Sequence, residues 1–201
     1  MKNLLILASK SPRRIELLQS LQIDFEVDPA LGFQELAHSS QTPEALVAEN
    51  AVGKAEEVAR RHPGRLVLGV DTVGVFKGLI LEKPKDKEDA FRMLSLLQGH
   101  SHEVLTGLCL IGQGKKITHV ESTRVTFLSL SEKEIRAYIK TGEPMDKAAS
   151  YAVQGYGSLF VQKIEGDYFN VVGLPLYRLN LMLQEFDIHL LRDVHSPKVS
   201  L

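Results

Sequence analysis

The sequence predicts an α/β protein, a mixed twisted sheet with helices flanking it. Two observations carry that expectation. Short apolar runs such as Leu4 to Ala8 and Leu66 to Val70 alternate with segments whose apolar residues recur at helical spacing, the pattern of strands exchanging with helices. Further along, two strand-like stretches at about 103–112 and 117–128 flank Gly112-Gln113-Gly114, which reads as a β-ribbon interrupting that alternation.

Each element has a local reason. The strand from Leu4 runs into Ser9-Lys10-Ser11-Pro12, where Ser11 suits a helix cap and Pro12 the first turn. Ile15, Leu17, Leu18 and Leu21 mark the packed face of that helix, and Phe25 to Val27 forms a second strand. Residues 29–41 are turn-rich and without period; Thr42-Pro43-Glu44 then opens a longer helix that Pro63-Gly64 must end. Leu66 to Val70 is a buried strand that delivers Asp71-Thr72 at its end, and Lys77-Gly78 turns a hairpin between Val75-Phe76 and Leu79-Ile80. Asp86 caps a helix with the apolar face Ala90, Met93, Leu94 and Leu97, stopped by Gly99. Ser131 and Glu134 form a capping box for the helix carrying Ile135, Tyr138 and Ile139, which stops at Gly142. Ser158 to Ile164 reads as a strand and Leu174 to about Phe186 as a last amphipathic helix. Residues 1–192 make one domain, and 193–201 a frayed tail.

Composition bounds the function. Hydrophobic residues at 44% and charged residues at 24% over 201 positions match an ordinary soluble domain able to bury a core. Lys plus Arg number 24 against 25 Asp plus Glu, a net charge of -1, which argues against bulk attraction to nucleic acid or an anionic membrane but not against a local basic site. Cys109 is the only cysteine, so no intrachain disulfide forms; its apolar neighbours make it a buried, inert thiol. No apolar stretch is long enough to span a bilayer, and the run from Met1 to Leu7 is too short for a signal peptide. The chain reads as cytoplasmic.

Four places carry polar residues suited to chemistry. In Ser11-Pro12-Arg13-Arg14, a strand feeds a helix N-terminus whose unpaired N–H groups and positive dipole end attract anions. Two arginines there oppose the dipole, a conflict that a shared phosphate resolves, as would pairing with a nearby carboxylate. Asp71, at the expected end of a buried strand, suits a general base or a metal ligand, or simply a turn. Lys54, among the small residues Ala51 to Ala55, and Lys83, fixed by Pro84, are phosphate-binding candidates or solvated lysines. The segment Gly142 to Gly155 is rich in turn formers and ends in Gln154, whose amide can read a nucleobase edge. His100 and His102 read as surface polar residues rather than metal ligands. No phosphate-loop, dinucleotide-binding, zinc-protease or nucleophile-elbow signature is present.

In order along the chain, Ala8-Ser9-Lys10-Ser11-Pro12-Arg13-Arg14, Lys54-Ala55, Asp71-Thr72, Lys83-Pro84, Thr106-Gly107, Gly142-Glu143-Pro144-Met145-Asp146-Lys147-Ala148, Gln154-Gly155 and Gly166 to Pro175 together resemble the Maf family of nucleotide pyrophosphatases. The resemblance implies a homodimer of two-lobed subunits with a nucleotide in the cleft between lobes, as in inosine-triphosphatase-like folds. It implies hydrolysis of a nucleoside triphosphate to the monophosphate and pyrophosphate with Mg²⁺ or Mn²⁺. By position, Asp71 is then the proton acceptor and a metal ligand, and Ser9, Arg13, Arg14, Lys54 and Lys83 hold the triphosphate. Glu35 is a carboxylate for metal or phosphate binding. Arg13, Thr72 and Gln154 fall where branches of the family differ, and Tyr151-x-x-Gln154-Gly155 resembles the branch that prefers dTTP and UTP. The alternatives are action on 7-methyl-GTP, or a nucleotide-binding regulator of septum formation with little catalysis. Three departures stand out: Ala149-Ser150 where a Gly-Ala pair is usual, Glu82 where glycine usually precedes Lys83-Pro84, and an unusual Gly74 after Asp71-Thr72-Val73.

Overall fold

A computed structural model of the chain describes residues 5–36 and 42–191. The expected frayed tail and the end of the turn-rich 29–41 segment lie outside the described residues. Strands β1 (Leu5–Leu7), β2 (Phe25–Val27) and β3 (Leu66–Phe76) pair in parallel, with β1 in the middle. Helices α1 (Pro12–Ser20) and α2 (Pro43–Arg61) make the two crossovers. Beyond β3 the sheet turns antiparallel through β5 (Ser101–Gly112), β6 (Lys115–Phe127) and β7 (Val161–Glu165), giving the order β2-β1-β3-β5-β6-β7, while β4 (Leu79–Leu81) hairpins back onto β3. The mixed sheet with flanking helices is the expected one.

Helices begin where polar side chains supply the missing acceptors. Thr42 accepts from the Ala45 N–H, and Asp86 from the Asp89 N–H at the start of α3 (Lys87–Leu97). The Ser131–Glu134 box is reciprocal at α4 (Glu132–Lys140); such caps contribute about 1 kcal/mol each. Ser11 precedes Pro12 as expected but makes no side-chain cap. Short α5 (Tyr168–Val172) was not expected, and α6 (Leu176–Gln184) closes the chain. The expected strand from Ser158 begins only at Val161, because Gly155–Leu159 winds into a 3₁₀ turn.

The period of two along the strands divides the core. Leu5, Leu7, Leu68 and Val70 face α1 and α6, whereas Ile6, Ala8, Val67 and Cys109 face α2. Burial pushes the Cys109 thiol up to about 11, so it stays protonated and inert. Another cluster fills the space between α3, α4 and the distal end of the ribbon, around Met93, Leu97, Phe127 and Tyr138. His102 belongs to it: contrary to the surface reading, it is 3% exposed and its Nε2 lies 2.9 Å from the Tyr151 hydroxyl. It shares the inward face of β5 with Val104, two residues on. Burial lowers its pKa to about 4, keeping the ring neutral.

Helix α2 lies unusually close to the sheet. A Cβ on Gly69 would fall 2.0 Å from the Ala51 carbonyl, and one on Gly107 2.2 Å from that of Val47. Only glycine permits this approach, and it brings the polar residues of α2 within reach of β3. No helix among the described residues is long and apolar enough to cross a membrane.

Candidate active site

A gap in the sheet makes the site. β5 covers one edge of β3 from Val67 to Val75. On the other edge β1 pairs only with residues 66–68 and β4 only with 74–76. Among the described residues, positions 69–73 therefore face no strand on that side, and side chains take the place of the missing backbone partners. Asp71 sits at this gap. Its expected place, the end of a strand, is corrected: β3 continues to Phe76 because β5 pairs along it, and the strand that ends near Asp71 is β1.

Asp71 is 8% exposed. Its Oδ1 accepts from the Lys54 ammonium at 2.6 Å and its Oδ2 from the Asn50 amide at 3.2 Å. Lys54 also reaches Oε1 of Glu35 at 2.7 Å, so one ammonium lies between two carboxylates. Burial works against the charge on Glu35, but Lys54, with Lys83 and Arg14 farther off, prevails and holds its carboxyl below the ordinary value. Both Asn50 and Lys54 lie on the stripe of α2 that is otherwise Leu46, Val47, Ala51, Ala55 and Val58. Two polar residues on a buried stripe were the signal for Asn50, which reading the sequence missed.

The two arginines of the Ser11-Pro12-Arg13-Arg14 turn separate. Arg14 turns inward: Nε donates to the Gly173 carbonyl at 2.9 Å, and Nη1 to Ser9 Oγ at 2.9 Å and the Val70 carbonyl at 3.0 Å. Nη2 donates to Thr72 Oγ1 at 3.0 Å. Four of its five N–H groups are thereby used, leaving one on Nη2. The Thr106 hydroxyl donates to the Asn170 carbonyl, so in the 3.0 Å contact between Thr72 and Thr106 the proton is that of Thr72. Burial draws the Arg14 pKa down to about 10 against the pull of Asp71, and the group remains cationic at neutral pH. Arg13 stays at the mouth, 3.3 Å from Asp146, whose other oxygen contacts Lys147.

Arg14 ties together the loop after β1, strand β3 and the turn after α5. Arg14→Lys removes the fork that joins them, and a point cation replaces only part of it. The expected result is a loss of about 2 kcal/mol in unfolding free energy, read from urea denaturation of parent and variant. Unchanged stability would show that the fork is not what holds these segments together.

The cleft has a volume of about 710 Å³ and is lined by every residue singled out from sequence: Ser9, Arg13, Arg14, Glu35, Lys54, Asp71, Thr72, Lys83 and Gln154. Six cations line it, Lys10 and Lys147 being the others, against the four carboxylates Glu35, Asp71, Glu82 and Asp146. That local surplus occurs in a chain of net charge -1. Lys83 and Gln154 make no hydrogen bond or ion pair among the described residues, so their polar ends are available to a ligand. Among the described residues no three carboxylate, imidazole or thiolate side chains converge on a point. Mg²⁺ is commonly held by one or two carboxylates plus substrate phosphates, and Glu35, whose carboxyl Lys54 holds below its ordinary value, fits that role at the cleft.

Fold and site together define a class: an α/β protein whose cation-rich cleft, built over a buried carboxylate at a break in the sheet, is suited to a polyphosphate. Within it the chain belongs to the Maf-like protein family, whose profile matches residues 4–186. It is 48% identical over 90% of its length to a Koribacter versatilis protein called dTTP/UTP pyrophosphatase, covering 93% of that protein. It is also 48% identical over 90% of its length to one of the same name from Bacillus cytotoxicus, covering 95% of it. The Staphylococcus aureus Ham1 protein shares the fold at a TM-score of 0.52 and 13% identity, over 90% of this chain and 98% of that one.

Proposed function

We propose that this chain hydrolyses dTTP and UTP to the monophosphate and pyrophosphate with the help of Mg²⁺ or Mn²⁺. The observation that supports this most is the pairing of Asp71 with Lys54 at the floor of a cleft whose walls carry Arg13, Lys83 and the remaining N–H of Arg14. The relatives' names supply the nucleotide class.

In this reading Lys83, Lys54 and Arg13 meet the phosphate oxygens, and Ser9 with Arg14 shapes the turn beneath them. Asp71 takes a proton from water as its oxygen forms a bond to phosphorus. The phosphoanhydride bond breaks, and its electron pair leaves with pyrophosphate. Lys54, bonded to Asp71 Oδ1 at 2.6 Å, keeps that carboxylate oriented. Glu35 and Asp71 would hold the metal, which supplies charge neutralisation on the phosphates. Gln154 presents an amide matching the O4 and N3–H edge of thymine or uracil.

The test is a panel of dTTP, UTP, CTP, ATP, dGTP and 7-methyl-GTP with pyrophosphate release as the readout. dTTP and UTP are expected to exceed the others in kcat/KM by roughly tenfold or more, with activity lost on chelation and restored by Mg²⁺. Intact dTTP and UTP would end this reading, and turnover without a divalent ion would remove the metal from it.

A further inference from the structure

The Gln154 side chain makes no hydrogen bond or ion pair among the described residues, yet the backbone on both sides of it is tightly held. The Ala152 N–H donates to the Tyr138 hydroxyl at 3.1 Å, on the near side of Gln154. On the far side, the Tyr156 N–H donates to Glu143 Oε2 at 3.0 Å and the Gly157 N–H to Oε1 at 2.9 Å. The Tyr138 hydroxyl in turn donates to that same Oε1 at 2.8 Å. Burial pushes the Tyr138 phenol up, so it keeps the proton that this last bond needs. A Cβ on Gly155 would lie 2.4 Å from Glu143 Oε2, so the turn is shaped to admit the carboxylate.

We infer that Glu143, acting with Tyr138, is a positioning residue for base selection: the pair fixes the backbone around Gln154 and thereby fixes where its amide meets the base. This rests on the triphosphate-hydrolase reading above. The chemistry at Asp71 is served by α2 and β3, and the base edge is served by this clamp. The two tasks are therefore separable by mutation. Glu143→Gln keeps the shape but offers one oxygen where the carboxylate used two, so its NH₂ group must face an N–H or O–H donor and the turn loosens.

The decisive measurement compares a nucleotide with a ligand that has the phosphates and no base. In Glu143→Gln the KM for dTTP is expected to rise roughly tenfold and the preference for dTTP over dGTP to narrow by a similar factor, with kcat changed by less than about threefold. Inhibition by inorganic tripolyphosphate is expected to stay within about twofold, because that ligand touches only the phosphate side. Equal weakening of dTTP and tripolyphosphate would mean general damage and overturn the proposal, and so would an unchanged preference. Tyr138→Phe, which deprives the Ala152 N–H of its acceptor, should move the preference in the same direction by less, and it decides the matter if Glu143→Gln fails to fold. A parent protein that hydrolyses none of the nucleotides overturns the hydrolase reading alone. Calorimetric affinities for dTTP and tripolyphosphate then judge the clamp by the same contrast, and a parent that does not bind dTTP overturns both.

Discussion

Asp71→Asn is expected to lower kcat for dTTP by about a thousandfold while KM stays the same or falls, since loss of a positioned general base costs about 10² to 10⁴ in rate. The amide keeps the size of the carboxylate and its oxygen can still accept from Lys54, but its NH₂ then faces the Asn50 NH₂, and it cannot take a proton from water. Lys54 is not stranded by the change, because Glu35 lies 2.7 Å from its ammonium. The variant should therefore fold, at a cost of about 1–3 kcal/mol for the Asn50 donor that loses its acceptor, and the ammonium, freed from one of its two carboxylates, should attract phosphate at least as well as before. That split, slower turnover with undiminished binding, distinguishes a catalytic role from a structural one. Steady-state pyrophosphate release together with nucleotide affinity measures it. A variant retaining more than about a tenth of the parent kcat would remove Asp71 from the role of base.

Much of this site was legible in the sequence, though not always for the right local reason. Asp71 is legible as a polar residue after an apolar run, a pattern that predicts the end of a strand. In fact β3 continues, and the end that matters belongs to β1, a partner whose length sequence periodicity does not reveal. The sequence predicts Arg14 as a cation at a helix start. Its burial depends on acceptors at Ser9, Val70, Thr72 and Gly173, and the last three lie too far along the chain to leave a local pattern. The caps at Thr42, Asp86 and Ser131 are legible, because a side chain and an amide three residues on decide them. His102 departs from the expectation of exposure because β5 begins at Ser101, and its alternation places His102 inside. In each case local chemistry was readable, whereas burial of a polar group required knowing what lay across from it.

The two departures at Gly74 and Ala149 meet in space, and they make a prediction of comparable size for stability. A Cβ on Gly74 would lie 2.5 Å from the Ala149 Cβ, far inside contact distance. Ala149 has φ of 56° and its N–H donates to the Glu82 carbonyl, so it docks the 148–150 turn on β3 beside the carbonyl that precedes Lys83. Neither methyl can swing away, since a Cβ moves only with its backbone. Gly74→Ala is therefore expected to destabilise by about 3 kcal/mol and to lower activity by displacing Lys83. In Ala149→Gly the clashing methyl is gone and the left-handed backbone is relieved, a change within about 1 kcal/mol of neutral. The double variant is the informative one. With the Ala149 Cβ removed, the nearest of the remaining neighbours to the new Cβ are the Leu81 carbonyl oxygen at 3.6 Å and the Ala149 Cα at 3.7 Å, both ordinary contacts. An alanine in a strand also costs less ordering entropy than a glycine. The double variant should thus match the parent or exceed it, giving a coupling of about 2–3 kcal/mol in a double-mutant cycle followed by urea denaturation. Additive effects would show that the two positions do not compensate each other. A large coupling would mean that the small residue this contact requires has moved from one strand of chain to the other, leaving the placement of Lys83 beside the cleft unaltered.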